Sequence, residues 1–264
     1  MSGVENVIET ANRCLAQRVT NIPGMPLWHM GSAKLGSQNS FNLLQNTVDY
    51  LTCKAKVKMA FTEDEKEFMK ELFEALWWGG KALGMSEAAQ LANHYVNGKG
   101  DKLVIDASVY KTSAIVIDAM GELKAYILEL ESKKQSFAYL KSSDSGFLLS
   151  KFSKKLRMYR DVNTQGHFLQ DGALLAEQSN KRLKNADNRF FLGVSTSKSS
   201  GGFHSIWTVE SIYDFEPFSK KSYVTNIPLG SNTLTLPDGL SQYLTEIGVA
   251  MDFTYTATWR EWWK

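Results

Sequence analysis

Arg189-Phe-Phe-Leu-Gly-Val-Ser-Thr-Ser-Lys198, Ser199-Ser-Gly-Gly202 and Phe203-His-Ser-Ile-Trp-Thr-Val-Glu-Ser-Ile-Tyr-Asp-Phe215 read in order as a strand, a turn and a second strand. In the second run Phe203, Trp207, Val209, Tyr213 and Phe215 fall on one face, the period of two that a half-buried strand requires. The turn is rich in serine and glycine, which suits a tight connection between antiparallel strands. The expectation is a hairpin pairing Arg189–Lys198 with Gly202–Phe215.

Toward the C-terminus, Asp238 is placed to cap a helix in which Leu240, Tyr243, Leu244 and Ile247 share a face, with Gly248 ending it. Phe253, Tyr255, Ala257 and Trp259 then alternate as a last strand. Toward the N-terminus, Gly172 to Lys184 reads as a helix, Phe147 to Tyr159 as a helix or a strand, and Ser136 to Leu140 as a strand. The pattern changes near Ser132-Lys133-Lys134. Before it, Val109, Ser113, Val116, Met120, Leu123, Ile127 and Leu130 recur at steps of four and three, predicting one helix over Ser108 to Glu131. Leu103-Val104-Ile105 suits a short strand. Ser86 opens a helix that Asn97-Gly98 closes. Thr62 and Glu65 form a capping box for a helix carrying Phe68, Met69, Leu72, Phe73, Leu76 and Trp77. Helices are also expected over Phe41 to Lys56 and Val4 to Val19, with an irregular segment from Thr20 to Gly36. The fold class expected is α+β: a helical region at 1–134, then an antiparallel β-rich region at 135–264 with one or two helices.

Composition narrows the function less than the fold. Of 264 residues, 43% are apolar, enough for a sizeable core, and 30 basic against 28 acidic residues leave a net charge of +2. So small an imbalance gives no strong nucleic-acid signal. Basic residues do concentrate locally, at Lys151, Lys154, Lys155, Arg157 and Arg160 and at Lys181, Arg182, Lys184 and Arg189, which reads as a solvated helix face or, alternatively, as an anion-facing surface. The two cysteines, Cys14 and Cys53, lack metal-ligand spacing and read as buried free thiols. The start lacks the features of a signal peptide, and no run is apolar enough to span a bilayer. Synthesis in the cytoplasm followed by signal-independent secretion or delivery is the expectation.

No P-loop, dinucleotide fingerprint, nucleophile elbow or zincin motif occurs. His94 sits near a helix end, where the dipole favours it. His167 is four residues from Asp171, a spacing that suits a surface pair across a turn or, alternatively, an acid–base couple. His204, Glu210 and Asp214 share the polar face of the second hairpin strand, but straight-strand spacing puts His204 and Glu210 ~20 Å apart. Trp259, Trp262 and Trp263 crowd the C-terminus beside Arg260 and Lys264. They read as rings covering a sheet, or as a docking or membrane-interface surface.

Trp207-Thr-Val-Glu-Ser-Ile-Tyr-Asp-Phe-Glu-Pro-Phe218, followed by a Lys-containing loop, a short helix and an aromatic strand, resembles the C-terminal segment of bacteriocin and polymorphic-toxin domains. These include the colicin M family and type VI secretion effectors. The colicin M signature is Asp-x-Tyr-Asp and, after five residues, His-Arg, and it implies metal-dependent cleavage of a lipid-linked precursor. Tyr213 and Asp214 match it. Ser211, Lys220 and Lys221 stand where the signature has Asp, His and Arg, removing a carboxylate and the imidazole. The resemblance implies an antibacterial toxin acting at the envelope of a competing bacterium, on a lipid-linked or phosphate-bearing substrate, with an immunity protein as partner. Asp214 is its candidate catalytic residue, and Lys220 and Lys221 its candidate substrate-binding residues. The cofactor is left unassigned. The alternatives are a non-enzymatic adaptor that docks a partner through the hairpin and the Trp-rich end, and a membrane-permeabilising toxin.

Overall fold

The computed structural model describes residues 38–82, 84–144, 167–168, 172–176, 189–218, 224–229 and 231–264. The helix expected over Val4 to Val19, the element over Phe147 to Tyr159 and the basic residues of the two clusters from Lys151 to Arg160 and from Lys181 to Lys184 lie outside them. The described chain is α+β, with α1 (Gln38–Lys56), α2 (Glu63–Ala82), α3 (Ser86–Asn97), β1 (Leu103–Val104), α4 (Ser108–Lys111), α5 (Ala114–Ser132), β2 (Tyr139–Lys141), β3 (His167–Phe168), β4 (Leu174–Leu175), β5 (Arg189–Ser199), β6 (Gly202–Tyr213), β7 (Val224–Leu229), β8 (Asn232–Pro237), α6 (Asp238–Glu246) and β9 (Phe253–Trp263). It forms two compact units, each assembled from separated stretches of sequence.

One unit holds the described parts of Met1–Leu83 with Ala92–Gly100 and Asp214–Asp252. Thr62 and Glu65 make the capping box expected of them. The Thr62 backbone N–H donates to Glu65 Oε2 at 2.7 Å, and the Glu65 N–H donates to Thr62 Oγ1 at 3.2 Å. The same carboxylate accepts from Lys54 Nζ at 2.5 Å, in a pair whose side chains are only 7% and 3% exposed. Lys54 also lies 5.5 Å from the Phe61 ring centre. Phe68, Met69, Leu72 and Phe73 bury the face that their spacing predicted. The β7–β8 hairpin rests on α1, where Gln45 Oε1 accepts from the Thr235 N–H at 3.0 Å and Gln45 Nε2 donates to the Thr235 carbonyl at 3.3 Å. Pro237 holds the N-cap position of α6 without a side-chain capping bond, so Asp238 lies in the first turn rather than capping it. Tyr95, fully buried, donates to the Ser241 carbonyl at 2.7 Å and lies 2.7 Å from Thr245 Oγ1, which in turn donates to Asp252 Oδ1 at 3.2 Å. Burial holds the Asp252 carboxyl above the usual range, partly offset by that hydroxyl.

Cys53 is disulfide-bonded, which corrects the free-thiol reading at that position. Cys14, the other cysteine, lies outside the described residues.

The second unit holds Gly84–Leu91, Phe253–Lys264 and the described parts of Asp101–Tyr213. Its sheet runs β1-β9-β6-β5-β4-β3, with β2 also pairing β5. Every pairing is antiparallel except β1 with β9. The expected hairpin is present as β5 and β6, in register Ser199↔Gly202 through Phe191↔Glu210. Gly201 supplies the positive φ of 96° at its turn. The last strand extends four residues beyond Trp259, to Trp263, and pairs with β6 along its whole length.

Two expectations fail here. The helix predicted over Ser108 to Glu131 is broken into α4 and α5, because Ser113 takes an extended conformation (φ −76°, ψ 128°) as the N-cap residue of α5. Its apolar repeat still buries one face, through Val116, Leu123, Ile127 and Leu130. Where Gly172 to Lys184 reads as a helix, the described part, 172–176, holds β4, in which Leu174–Leu175 pair with Phe190 and Arg189, and residues 177–184 lie outside the described residues. Sheet pairing overrides local helical spacing there. Gly172, with φ 80°, lets the chain pass so close to Ser142 that an added Cβ would meet its carbonyl oxygen at 2.0 Å.

Candidate functional site

The two faces of β5, β6 and β9 differ. On one, Val194, Trp207, Val209, Ala257 and Trp259 are buried. On the other, antiparallel register sets exposed side chains in rows. Ser197, His204 and Trp262 form one row, and Tyr139, Ser195, Ile206 and Arg260 the next. All of these but Tyr139 line an open groove of about 590 Å³. Trp262 remains 49% exposed and Ile206 44%. Among the described residues no hydrogen bond or ion pair engages the side chain of His204 or Arg260.

The groove is stiffened from behind. Glu261, between Arg260 and Trp262, turns to the packed face, where it accepts from Lys124 Nζ at 2.7 Å and Trp207 Nε1 at 2.9 Å. The Lys124 ammonium lies 5.9 Å and 5.4 Å from the ring centres of Trp207 and Trp263. Trp263 Nε1 donates to Ser205 Oγ at 2.8 Å, and Ser205 is 2.9 Å from Thr196 Oγ1. Both neighbours of Trp262 are thereby fastened, which fixes the direction of its ring. That ring lies on Gly202: an added Cβ there would stand 3.0 Å from the indole and 2.5 Å from the Trp263 carbonyl oxygen.

The sequence-predicted residues are placed otherwise. Asp214 is exposed, directly after the end of β6, and is not among the groove-lining residues. Lys220 and Lys221 lie outside the described residues. Ser211 donates to the Arg189 carbonyl at 2.8 Å. The Tyr213 ring is packed, stacked on Phe253 at 5.2 Å between centres. The polar set of one strand is divided: Glu210 pairs with Lys141, whose ammonium that hydrogen bond holds above its ordinary value, while His204 belongs to the groove. His167 pairs with Leu175 across β3 and β4, and Asp171 lies outside the described residues. Among the described residues no three His, Cys, Asp or Glu side chains converge in a metal-binding arrangement.

Sequence reasoning noted Arg260 and Trp262 as part of a C-terminal aromatic cluster but did not join them to His204. The signal lay in alternation, which turns Arg260 and Trp262 away from Trp259 and Trp263. The chain matches no protein-family model, no curated protein and no solved structure.

Proposed function

We propose that the chain works by binding, through the exposed face of β5, β6 and β9. One observation carries this reading: the side chains of Arg260 and His204, without partners among the described residues, stand beside a half-exposed Trp262 on a sheet whose other face is tightly packed. Arginine and tryptophan are enriched where proteins meet their partners, the arginine through its planar donor fork and the tryptophan through its broad ring. The test is a two-dimensional NMR panel of small anions, sugars, peptides and nucleotides. Binding at this face moves the Trp262 indole N–H signal in the wild type, and Arg260→Ala weakens that response. A panel that leaves the signal unmoved refutes the reading.

A second reading is an antibacterial toxin acting at the envelope of a competing bacterium. The disulfide at Cys53 supports it, since such bonds persist in oxidising compartments such as the bacterial periplasm. The exposed Asp214 is its catalytic candidate, with Lys220 and Lys221 toward a phosphate-bearing substrate and an immunity protein as partner. Periplasmic expression in a susceptible strain is expected to arrest growth more than cytoplasmic expression. Equal tolerance of both, at matched protein levels, removes the toxin reading.

A further inference from the structure

The polar side chains turned into the groove are donors or hydroxyls. Arg260 offers a guanidinium, His204 an imidazole, and Ser195 and Ser197 hydroxyls. The Lys264 ammonium adds a second permanent cation, 5.4 Å from the Trp262 ring centre. Glu261 borders the groove, but its carboxylate is held on the opposite face by Lys124 and Trp207. Glu210, further along β6, is neutralised by Lys141. The groove therefore favours an anion, and the flat indole beside the cations favours an anion that carries a planar ring.

We propose that this groove binds a nucleotide unit, with its phosphate on Arg260 and its base flat on Trp262. The proposal rests on the binding role of this face set out above. Arg260 and Trp262 are two residues apart on one face of β9, about 7 Å at strand rise. That is the reach of one nucleotide between phosphate and base. The guanidinium fork matches two phosphate oxygens. Gly202 supports the inner face of the indole, leaving the outer face for stacking of the kind that aromatic side chains offer to bases. The Lys264 ammonium, 5.4 Å from the indole centre, adds a second cation beside the ring. His204, directly opposite Trp262, and Ser197 next to it are placed for the sugar hydroxyls or the base edge. The volume of about 590 Å³ suits one small ligand. Among the described residues the groove has two lysine or arginine cations, Arg260 and Lys264, which suits one nucleotide better than a long polynucleotide bound through many phosphates.

The nucleotide unit has two sources, a free mononucleotide or the phosphorylated end of a single strand. Titration of the full chain with AMP, adenosine, inorganic phosphate and a 5′-phosphorylated oligoadenylate separates them. The readouts are calorimetry and the Trp262 indole N–H signal, assigned by its loss in Trp262→Phe. AMP is expected to bind at least tenfold more tightly than adenosine or phosphate. Arg260→Gln removes the preference for AMP over adenosine. Trp262→Ala weakens AMP at least fivefold, while Trp262→Phe, which keeps a stacking ring, retains most of the affinity. A strand that binds more tightly than AMP assigns the strand as source, and equal or weaker binding assigns the free nucleotide. Equal affinity for AMP and adenosine overturns the proposal, as does an unmoved Trp262 signal with all four probes. If other members of the wider panel still move that signal, the nucleotide proposal alone falls. If none does, the binding reading falls with it.

Discussion

Glu65 performs two tasks with one carboxylate, and removing it is expected to cost far more than a helix cap. Oε2 accepts from the Thr62 N–H at 2.7 Å and from Lys54 Nζ at 2.5 Å, with the Lys54 side chain 7% exposed. Losing a cap costs about 1 kcal/mol. Leaving a buried ammonium without its counter-charge costs about 3–5 kcal/mol. Because the two losses share one group, Glu65→Ala is expected to destabilise the chain by about 4 kcal/mol rather than by their sum. Glu65→Gln keeps an acceptor for Thr62 and isolates the charge term, at about 3 kcal/mol. Lys54→Met leaves a buried carboxylate that retains the Thr62 N–H and costs about 2–3 kcal/mol. The double variant Lys54→Met/Glu65→Gln carries neither charge and is expected within about 1 kcal/mol of the wild type. Urea unfolding followed by far-UV circular dichroism closes this double-mutant cycle, with an expected coupling of at least about 3 kcal/mol. Single-variant costs that add to within about 0.5 kcal/mol would refute the reasoning, because they would mean that the two charges do not depend on each other.

Asp252, with its carboxyl held above the usual range by burial, resists ionisation in the folded chain. Its ionisation therefore lowers stability as pH rises through the carboxylate range, and Asp252→Asn is expected to raise Tm at pH 7 with the gain vanishing below about pH 3.9. A gain that persists undiminished in acid would contradict this origin. Gly202→Ala is expected to destabilise by about 1–3 kcal/mol through overpacking and to shift the Trp262 indole N–H signal, since its Cβ meets the Trp263 carbonyl at 2.5 Å. An unshifted signal with unchanged Tm would show that the indole does not lie on that glycine. Thiol titration of the denatured, unreduced protein is expected to find no free thiol and, after reduction, two. Asp214→Asn is expected to abolish periplasmic toxicity at unchanged Tm if the toxin reading holds, whereas full toxicity removes Asp214 as a catalytic residue.

What could be read from the residues alone was whatever a short window contains. The β5–β6 hairpin follows from alternation and a Ser-Gly-Gly turn, and the Thr62–Glu65 box from a spacing of three. The failures lie where distant chain decides. Leu174 and Leu175 satisfy a helical pattern, but β5 offers them ladder partners. The break at Ser113 leaves the apolar repeat of α5 unaltered, so the repeat could not announce it. The groove was half visible. Alternation separates Trp262 from Trp259, but only the β6–β9 register brings Arg260 and Trp262 beside His204, and no local pattern encodes register between strands some fifty residues apart.

Gln45 shows how a helix can stand in for a strand. A primary amide is a peptide group in miniature, with one acceptor and a donor alongside it. By giving Thr235 both at once, Gln45 answers β8 as a neighbouring backbone would, though α1 supplies no strand. A two-stranded ribbon is marginal alone, and its bare edge is a template for foreign chains. At Thr235 that template is already occupied. Glutamate in place of Gln45 would preserve the shape but present a carboxylate to the Thr235 carbonyl, acceptor against acceptor, reopening that edge to recruitment and fibrillar growth.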